Sequence, residues 1–325
     1  MNILVIGGSG LFGRKTVVKL LEDKDVKTVV NMDVAPPREY YLKSIAKYAD
    51  RYHFVRGDIS QLEVLLDIMR TYQIDRMVNF AFLMGTVVEE NPRLATKINV
   101  LGMSNAFEAA RLMGVKRVIF PSSETVYGVQ NDYGDREVVE DDRLYPSHAY
   151  ALAKRLAELN ADQYTEKYGM SFTAMRPCIG YGHGGQSPFI VKYLSDLVSL
   201  PAVGKPYAIE ADGKNQFSPV IADDVGAFTR LLLKADASPH PAYNLGGPPT
   251  SMRDIADQVK KFIPDAQISF GTQVLGGQGK SGLPWKVSMA RAEKDFGFKL
   301  MPLEQMVLTH INEAREEAGM PPVKG

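Results

Sequence analysis

The chain has 325 residues, 45% of them apolar and 23% charged, with 38 basic and 38 acidic side chains and a formal net charge of zero. That profile describes a globular protein, excludes a disordered, collagenous or disulfide-built one, and lacks the basic excess of a nucleic-acid binder. A single cysteine, Cys178, rules out an intrachain disulfide and suits a reducing cytoplasm. No basic n-region precedes the first apolar run, and no stretch approaches the roughly 18 apolar residues of a membrane span. The expectation is a soluble, cytoplasmic protein with a small-molecule substrate and neither a nucleic-acid nor a membrane partner.

In chain order, short β-branched runs alternate with longer amphipathic ones. The pattern predicts buried strands over 3–6, 28–32, 53–55, 76–80 and 117–120, and helices over 14–22, 62–71, 93–113 and 150–168. Residues 171–175 and 242–245 read as further strands. Strand–helix alternation of this kind predicts an α/β fold with a doubly wound parallel sheet. Past Pro177, segments rich in Gly and Pro (180–188, 200–206, 246–249, 271–284) break up short helices over 189–197 and 251–262. These segments define a smaller, interleaved α/β lobe for substrate. The expected division is 1–177 plus 219–247 for the dinucleotide domain, and 178–218 plus 248–325 for the substrate lobe.

Directly after the first strand comes Gly7-Gly8-Ser9-Gly10-Leu11-Phe12-Gly13, followed at once by a helix. Glycines there let the backbone turn tightly and approach a pyrophosphate whose charge sits at the helix N-terminus. The second strand ends in Asp33, 20 residues beyond Gly13. A carboxylate at that point hydrogen-bonds the adenosine ribose and repels a 2′-phosphate, which favours NAD. Asp58 and Ile59 close the third strand, where they suit the adenine edge. The three features in this order indicate a Rossmann sheet holding NAD.

Tyr150 and Lys154 lie four residues apart on a predicted helix and therefore share one face. Ser123 follows the strand over 117–120, at the sheet edge expected to hold the cofactor. A tyrosine hydroxyl titrates near 10, so half-ionising it at neutral pH requires roughly 4 kcal/mol. A neighbouring ammonium and an oxidised nicotinamide both favour the phenolate, which can then act as general base or acid. Ser123 would hydrogen-bond the substrate oxygen. Tyr150, Lys154 and Ser123 are the expected catalytic set, and no carboxylate–histidine spacing suggests a metal.

These residues resemble the extended short-chain dehydrogenase/reductase family, in its NAD-dependent epimerase/dehydratase group. The likeness runs from Gly7–Gly13 through Val78-Asn79-Phe80-Ala81, Asn91-Pro92, Asn99-Val100-x-Gly102 and Ser122-Ser123-Glu124-Thr125-Val126-Tyr127-Gly128. It continues through Tyr150-x-x-x-Lys154, Arg176-Pro177, Tyr181-Gly182 and Asp223-Asp224-Val225. The resemblance implies that Ala81 and Pro177 contact cofactor, that Asn99 supports the lysine, and that the helices over 93–113 and 150–168 build a homodimer interface.

The chain also departs from relatives that act on nucleotide sugars. Ile179 stands where they usually carry an asparagine, and no arginine accompanies Phe217. A diphosphate would lack its bidentate cation, although Lys205, Lys214 or Lys280 could compensate. The dehydratase acid pair is reduced to Glu124 in Ser123-Glu124-Thr125. With Glu124, Thr125, His183 and Phe217 as candidate substrate contacts, the expectation is an oxidoreductase acting on a secondary alcohol or ketone of a small substrate. The alternatives are a nucleotide-sugar epimerase and a non-catalytic NAD-binding sensor.

Overall fold

The computed structural model describes residues 1–185, 190–274 and 282–325. Strands run over Asn2–Ile6 (β1), Thr28–Asp33 (β2), Tyr52–Arg56 (β3), Arg76–Asn79 (β4), Arg117–Pro121 (β5), Ser171–Pro177 (β6), Ile179–Tyr181 (β7), Tyr207–Ala211 (β8), Pro219–Ile221 (β9), Ala242–Leu245 (β10) and Ile268–Gln273 (β11). The helices are Leu11–Leu21 (α1), Glu39–Ile45 (α2), Leu62–Thr71 (α3), Thr86–Glu90 (α4), Pro92–Ala95 (α5), Met103–Leu112 (α6), Ala149–Tyr168 (α7), Ile190–Ala202 (α8), Ala222–Lys234 (α9), Met252–Phe262 (α10), Ala290–Phe296 (α11) and Leu303–Glu317 (α12).

Seven strands form one sheet in the order β10-β6-β5-β4-β1-β2-β3, and the pairings from β3 across to β6 are parallel. The chain winds outward from β1 in both directions, so the loops after β1 and β4 part at a topological switch point, where ligands of open α/β sheets bind. Central strands are apolar on both faces because helices cover both: β1 shows burial at Ile3, Leu4, Val5 and Ile6, and β5 is buried throughout.

Two compact units emerge. The first comprises Met1–Val126, Pro146–Arg176 and Asp223–Tyr243; the second comprises Tyr127–Tyr145, Pro177–Ala222 and Asn244–Gly325. The segment 127–145, read from sequence with the dinucleotide domain, clusters with the second unit, where Asn244 N donates to Glu140 and Val138 bridges Val287. The first unit's core gathers Leu4, Val30, Met77, Phe107, Phe120 and Phe172. The second has its own core, around Tyr181, Leu194, Ile255, Met306 and Ile311, and short parallel pairs β7–β9 and β8–β11.

The helix expected over 93–113 is interrupted: α5 passes into a π-helical turn, Thr96–Gly102, before α6 begins. Gly102 ends this turn in close packing with Ile59, since a Cβ there would lie 2.6 Å from Ile59 Cγ2. Phe189, the first residue of the helix expected over 189–197, lies outside the described residues, as do 275–281 of the loop expected over 271–284.

Candidate active site

The first unit brings the glycine loop, Asp33, Asp58, Ala81 and Ser123 to one edge of its sheet, because each follows or ends a parallel strand at its carboxyl end. Gly7 has φ +76°, and a Cβ there would lie 2.7 Å from Ala81 N, so the β1 and β4 loops touch. A Cβ on Gly13 would lie 2.1 Å from the Gly7 carbonyl oxygen. Gly10 differs, since its Cβ would meet only Gly7 O, at 3.3 Å. It is also the N-cap of α1, which carries neither a side-chain cap nor an acid in its first turn. This is a cradle for an anion at a helix N-terminus, and it fits a dinucleotide pyrophosphate.

Asp33 accepts from Ser9 N at 3.0 Å and from Ala35 N at 3.2 Å, which ties the glycine loop to the end of β2. Its oxygens retain acceptor capacity for a ribose diol. Burial works against the charge of Asp58, but Ser60 (donating from its amide at 2.8 Å) and Lys97 hold it below the ordinary carboxylate range. Ile59 is buried against Gly102, and Ala81 N donates to Asn79 Oδ1 at 2.9 Å.

Tyr150 and Lys154 occupy the first turns of α7, whose N-cap is His148. Lys154 is 2% exposed and donates to the Pro121 carbonyl at 2.7 Å. Its Nζ lies 3.5 Å from the centroid of the Phe82 ring and 5.5 Å from that of Tyr150. Burial pushes the ammonium down to about 7, and Glu158 pulls it back up. Tyr150 goes the other way from the sequence expectation. Burial pushes its hydroxyl up to about 12, the Ser123 hydroxyl favours the ionised form, and the Glu124 carboxylate opposes it. The reason is geometric: the lysine is directed at a carbonyl and an aromatic face, so its charge acts on the tyrosine only from a distance.

Asn99 is buried on the π-helical turn. Its side chain accepts from Leu83 N at 2.7 Å and donates to Leu83 O at 2.9 Å, and so fixes the loop after β4 that carries Phe82. Ser123 Oγ accepts from Thr125 N at 3.2 Å. Thr125 Oγ1 is buried without a protein partner, a polar atom that a substrate group could satisfy. Glu124 is 2% exposed on the 3₁₀ turn Glu124–Tyr127. Sequence reasoning missed Phe82, Pro121, Glu158 and Arg176. Of these, Glu158 was legible as the continuation of the Tyr150, Lys154 spacing along one helix face.

The remaining candidates belong to the second unit. Pro177, at the end of β6, is buried. His183 has both ring nitrogens engaged, with Ser199 Oγ at 3.0 Å and with Glu317 Oε2, so it is part of a network between α8 and α12 and not a bare loop residue. Phe217 is packed in that unit's core and pairs with Thr250 through reciprocal backbone bonds of 2.9 Å. Cys178 is buried and in no disulfide, as a small core residue. Lys205 and Lys214 are exposed, and Lys280 lies outside the described residues. Among the described residues, no cluster of three or more metal-ligating side chains occurs, and no helix is long and apolar enough to cross a membrane.

The model of the NAD dependent epimerase/dehydratase family matches residues 3–246. The chain belongs to this family. It is therefore an NAD-dependent enzyme of the extended short-chain dehydrogenase/reductase type, and NAD is its cofactor. Across 285 residues it is 29% identical to the trifunctional UDP-glucose 4,6-dehydratase/UDP-4-keto-6-deoxy-D-glucose 3,5-epimerase/UDP-4-keto-L-rhamnose-reductase RHM3 of Arabidopsis thaliana, covering 83% of this chain but 41% of that protein. Across 319 residues it is 23% identical to the mitochondrial L-threonine 3-dehydrogenase of Sus scrofa, covering 96% and 82%. In fold it matches the UDP-glucose 4-epimerase of Thermotoga maritima with a TM-score of 0.83 at 21% identity, over 98% of this chain and all of that one.

Proposed function

We propose that this family member is an oxidoreductase acting at a secondary alcohol or the matching ketone of a small, non-nucleotide substrate, with Tyr150, Lys154 and Ser123 as its catalytic groups. The observation that supports the reading is that Lys154 donates to the Pro121 carbonyl at 2.7 Å, at the end of β5 where Ser123 follows, on the sheet edge that bears the glycine loop. In the oxidative direction, Ser123 donates to the substrate oxygen while Tyr150 accepts the hydroxyl proton. Lys154 stabilises the developing phenolate by charge and holds the cofactor ribose. NAD, when bound, would supply the acceptor for the hydride of the carbinol carbon. The positive charge of an oxidised nicotinamide would oppose the upward push of burial on the Tyr150 hydroxyl.

The pairing of Ile179 with Phe217, without the diphosphate-binding asparagine and arginine, supports a small substrate such as the L-threonine of the pig relative. The second reading, a nucleotide-sugar epimerase, draws on the higher identity to the Arabidopsis protein. Calorimetry with the NAD-loaded enzyme separates them: L-threonine or a similar hydroxy acid should bind, and UDP- and dTDP-glucose should not. Firm binding of either sugar nucleotide would overturn the small-substrate reading. Retention of Tyr150 and Lys154 together tells against a non-catalytic sensor.

A homodimer is proposed as well. Leu152, Leu156 and Leu159 are 54%, 39% and 43% exposed at i, i+4, i+7 spacing on α7, and Leu101 on the π-helical turn is 50% exposed. Large apolar side chains repeated along one helix face indicate a partner surface.

A further inference from the structure

Glu158 lies one helical turn beyond Lys154 on α7, and the mechanism above makes no use of it. It is buried, with 5% of its side chain exposed. Arg176 of β6 grips it in a bidentate pair, Nε to Oε1 at 2.8 Å and a terminal nitrogen to Oε2 at 2.9 Å, and Arg155 donates to Oε2 at 2.9 Å. A carboxylate enclosed this way stays ionised. Desolvation opposes its charge, but Arg176 and Arg155 outweigh that and hold it below the ordinary range. Lys154, by contrast, has a carbonyl and two aromatic faces as its contacts, none of which carries a formal charge.

We propose that Glu158 is a positioning residue of the active site, supplying through one turn of α7 the negative charge that keeps the Lys154 ammonium charged in the core of the first unit. The role in turnover rests on the reading of Lys154 given above; the electrostatic role does not. Arg176 serves two ends. It stops Glu158 from accepting a proton in the core, and its rigid fork fixes the carboxylate between β6 and α7, so the field on Lys154 is preorganised. The charged groups that bear on the pair are Arg155 and Asp162 from α7 itself and Arg176 from β6; Tyr150 lies on the Lys154 side, with Glu124 acting on it. Among the groups bearing directly on Lys154, Glu158 is the one that favours its charged form, and burial is the force it opposes.

The test is an NMR titration of the full chain labelled at lysine Cε, with the Lys154 signal assigned by loss in Lys154→Arg. In Glu158→Gln the Lys154 midpoint should fall by about one pH unit or more, the change expected when a nearby opposite charge in a desolvated setting is removed. Because that variant removes the bidentate partner of Arg176 and could fail to fold, the double variant Glu158→Gln/Arg176→Gln replaces the ion pair by neutral hydrogen-bonding groups and should show a smaller fall. Mere loosening of the packing would admit water and move the midpoint upward, toward the ordinary lysine value. A midpoint that is unchanged or raised in a folded variant overturns the proposal. A lowered midpoint in protein that shows no turnover with any substrate supports the proposal and counts against the catalytic reading instead.

Discussion

The ammonium of Lys154 rests on the face of Phe82, 3.5 Å from the ring centroid, and the same ring meets Tyr150 edge-on at a centroid distance of 5.3 Å. A cation held against an aromatic face inside a protein has exchanged water for a weaker electrostatic partner, and its charge carries a cost.

That cost makes stability depend on pH in a definite direction. The unfolded chain keeps the Lys154 proton up to the ordinary value of 10.5, whereas the folded chain releases it near 7. Between those values the unfolded state binds more protons, so this group's contribution to native stability rises with pH through that window. Lys154→Met removes the charge and should stabilise the protein at pH 6 by roughly 2–4 kcal/mol. Urea unfolding at several pH values checks this, and wild type and variant should converge towards pH 10.

Gly13→Ala should lose NAD binding and destabilise the fold. Its Cβ would stand 2.1 Å from Gly7 O and 2.6 Å from Gly8 Cα, and both neighbours are backbone that cannot swing away. Gly10→Ala meets a single atom at 3.3 Å, so its stability should stay within about 1 kcal/mol of wild type while NAD affinity still falls. Thermal melts with and without NAD separate the two effects.

Asp33→Ser should weaken NAD about tenfold, the scale of one lost hydrogen bond to a charged group, and narrow the preference over NADP. Equilibrium binding of both cofactors measures the ratio. The Ser9 N bond to Asp33 is lost in the same variant, so part of the effect comes from a looser glycine loop.

Leu156→Glu places a charge in the exposed leucine row of α7 and should convert a dimer to monomers in light scattering, with the monomer remaining folded. A wild-type protein that is already monomeric would remove the dimer from the account.

Much of the fold could be read because its signals are local. The strands at 3–6 and 242–245 and the helix at 62–71 follow from periodicity and short turns, and the glycine loop from its position after β1. The π-helical turn over Thr96–Gly102 could not be read, because residues 96–101 contain no proline or glycine to mark a break in the helical pattern. Helix α12, in which Met306, Val307, His310, Ile311 and Ala314 form one buried face, has the helical spacing that makes an element legible in sequence. At the site, the residue types were legible but their electrostatics were not. Whether burial or a neighbouring ammonium governs Tyr150 depends on where Lys154 points, and the carbonyl of Pro121 and ring of Phe82 decide that. His183 shows the same limit, since its partners Ser199 and Glu317 are remote in sequence.

The most direct test of the active site is reduction of nicotinamide, followed by its absorbance, when NAD-loaded protein is mixed with a small secondary alcohol such as L-threonine. Wild type should reduce the nicotinamide, and in Tyr150→Phe the rate should fall by about 10²–10⁴-fold with NAD binding preserved. Equal rates in the two proteins, or reduction elicited solely by UDP-sugars, would contradict this.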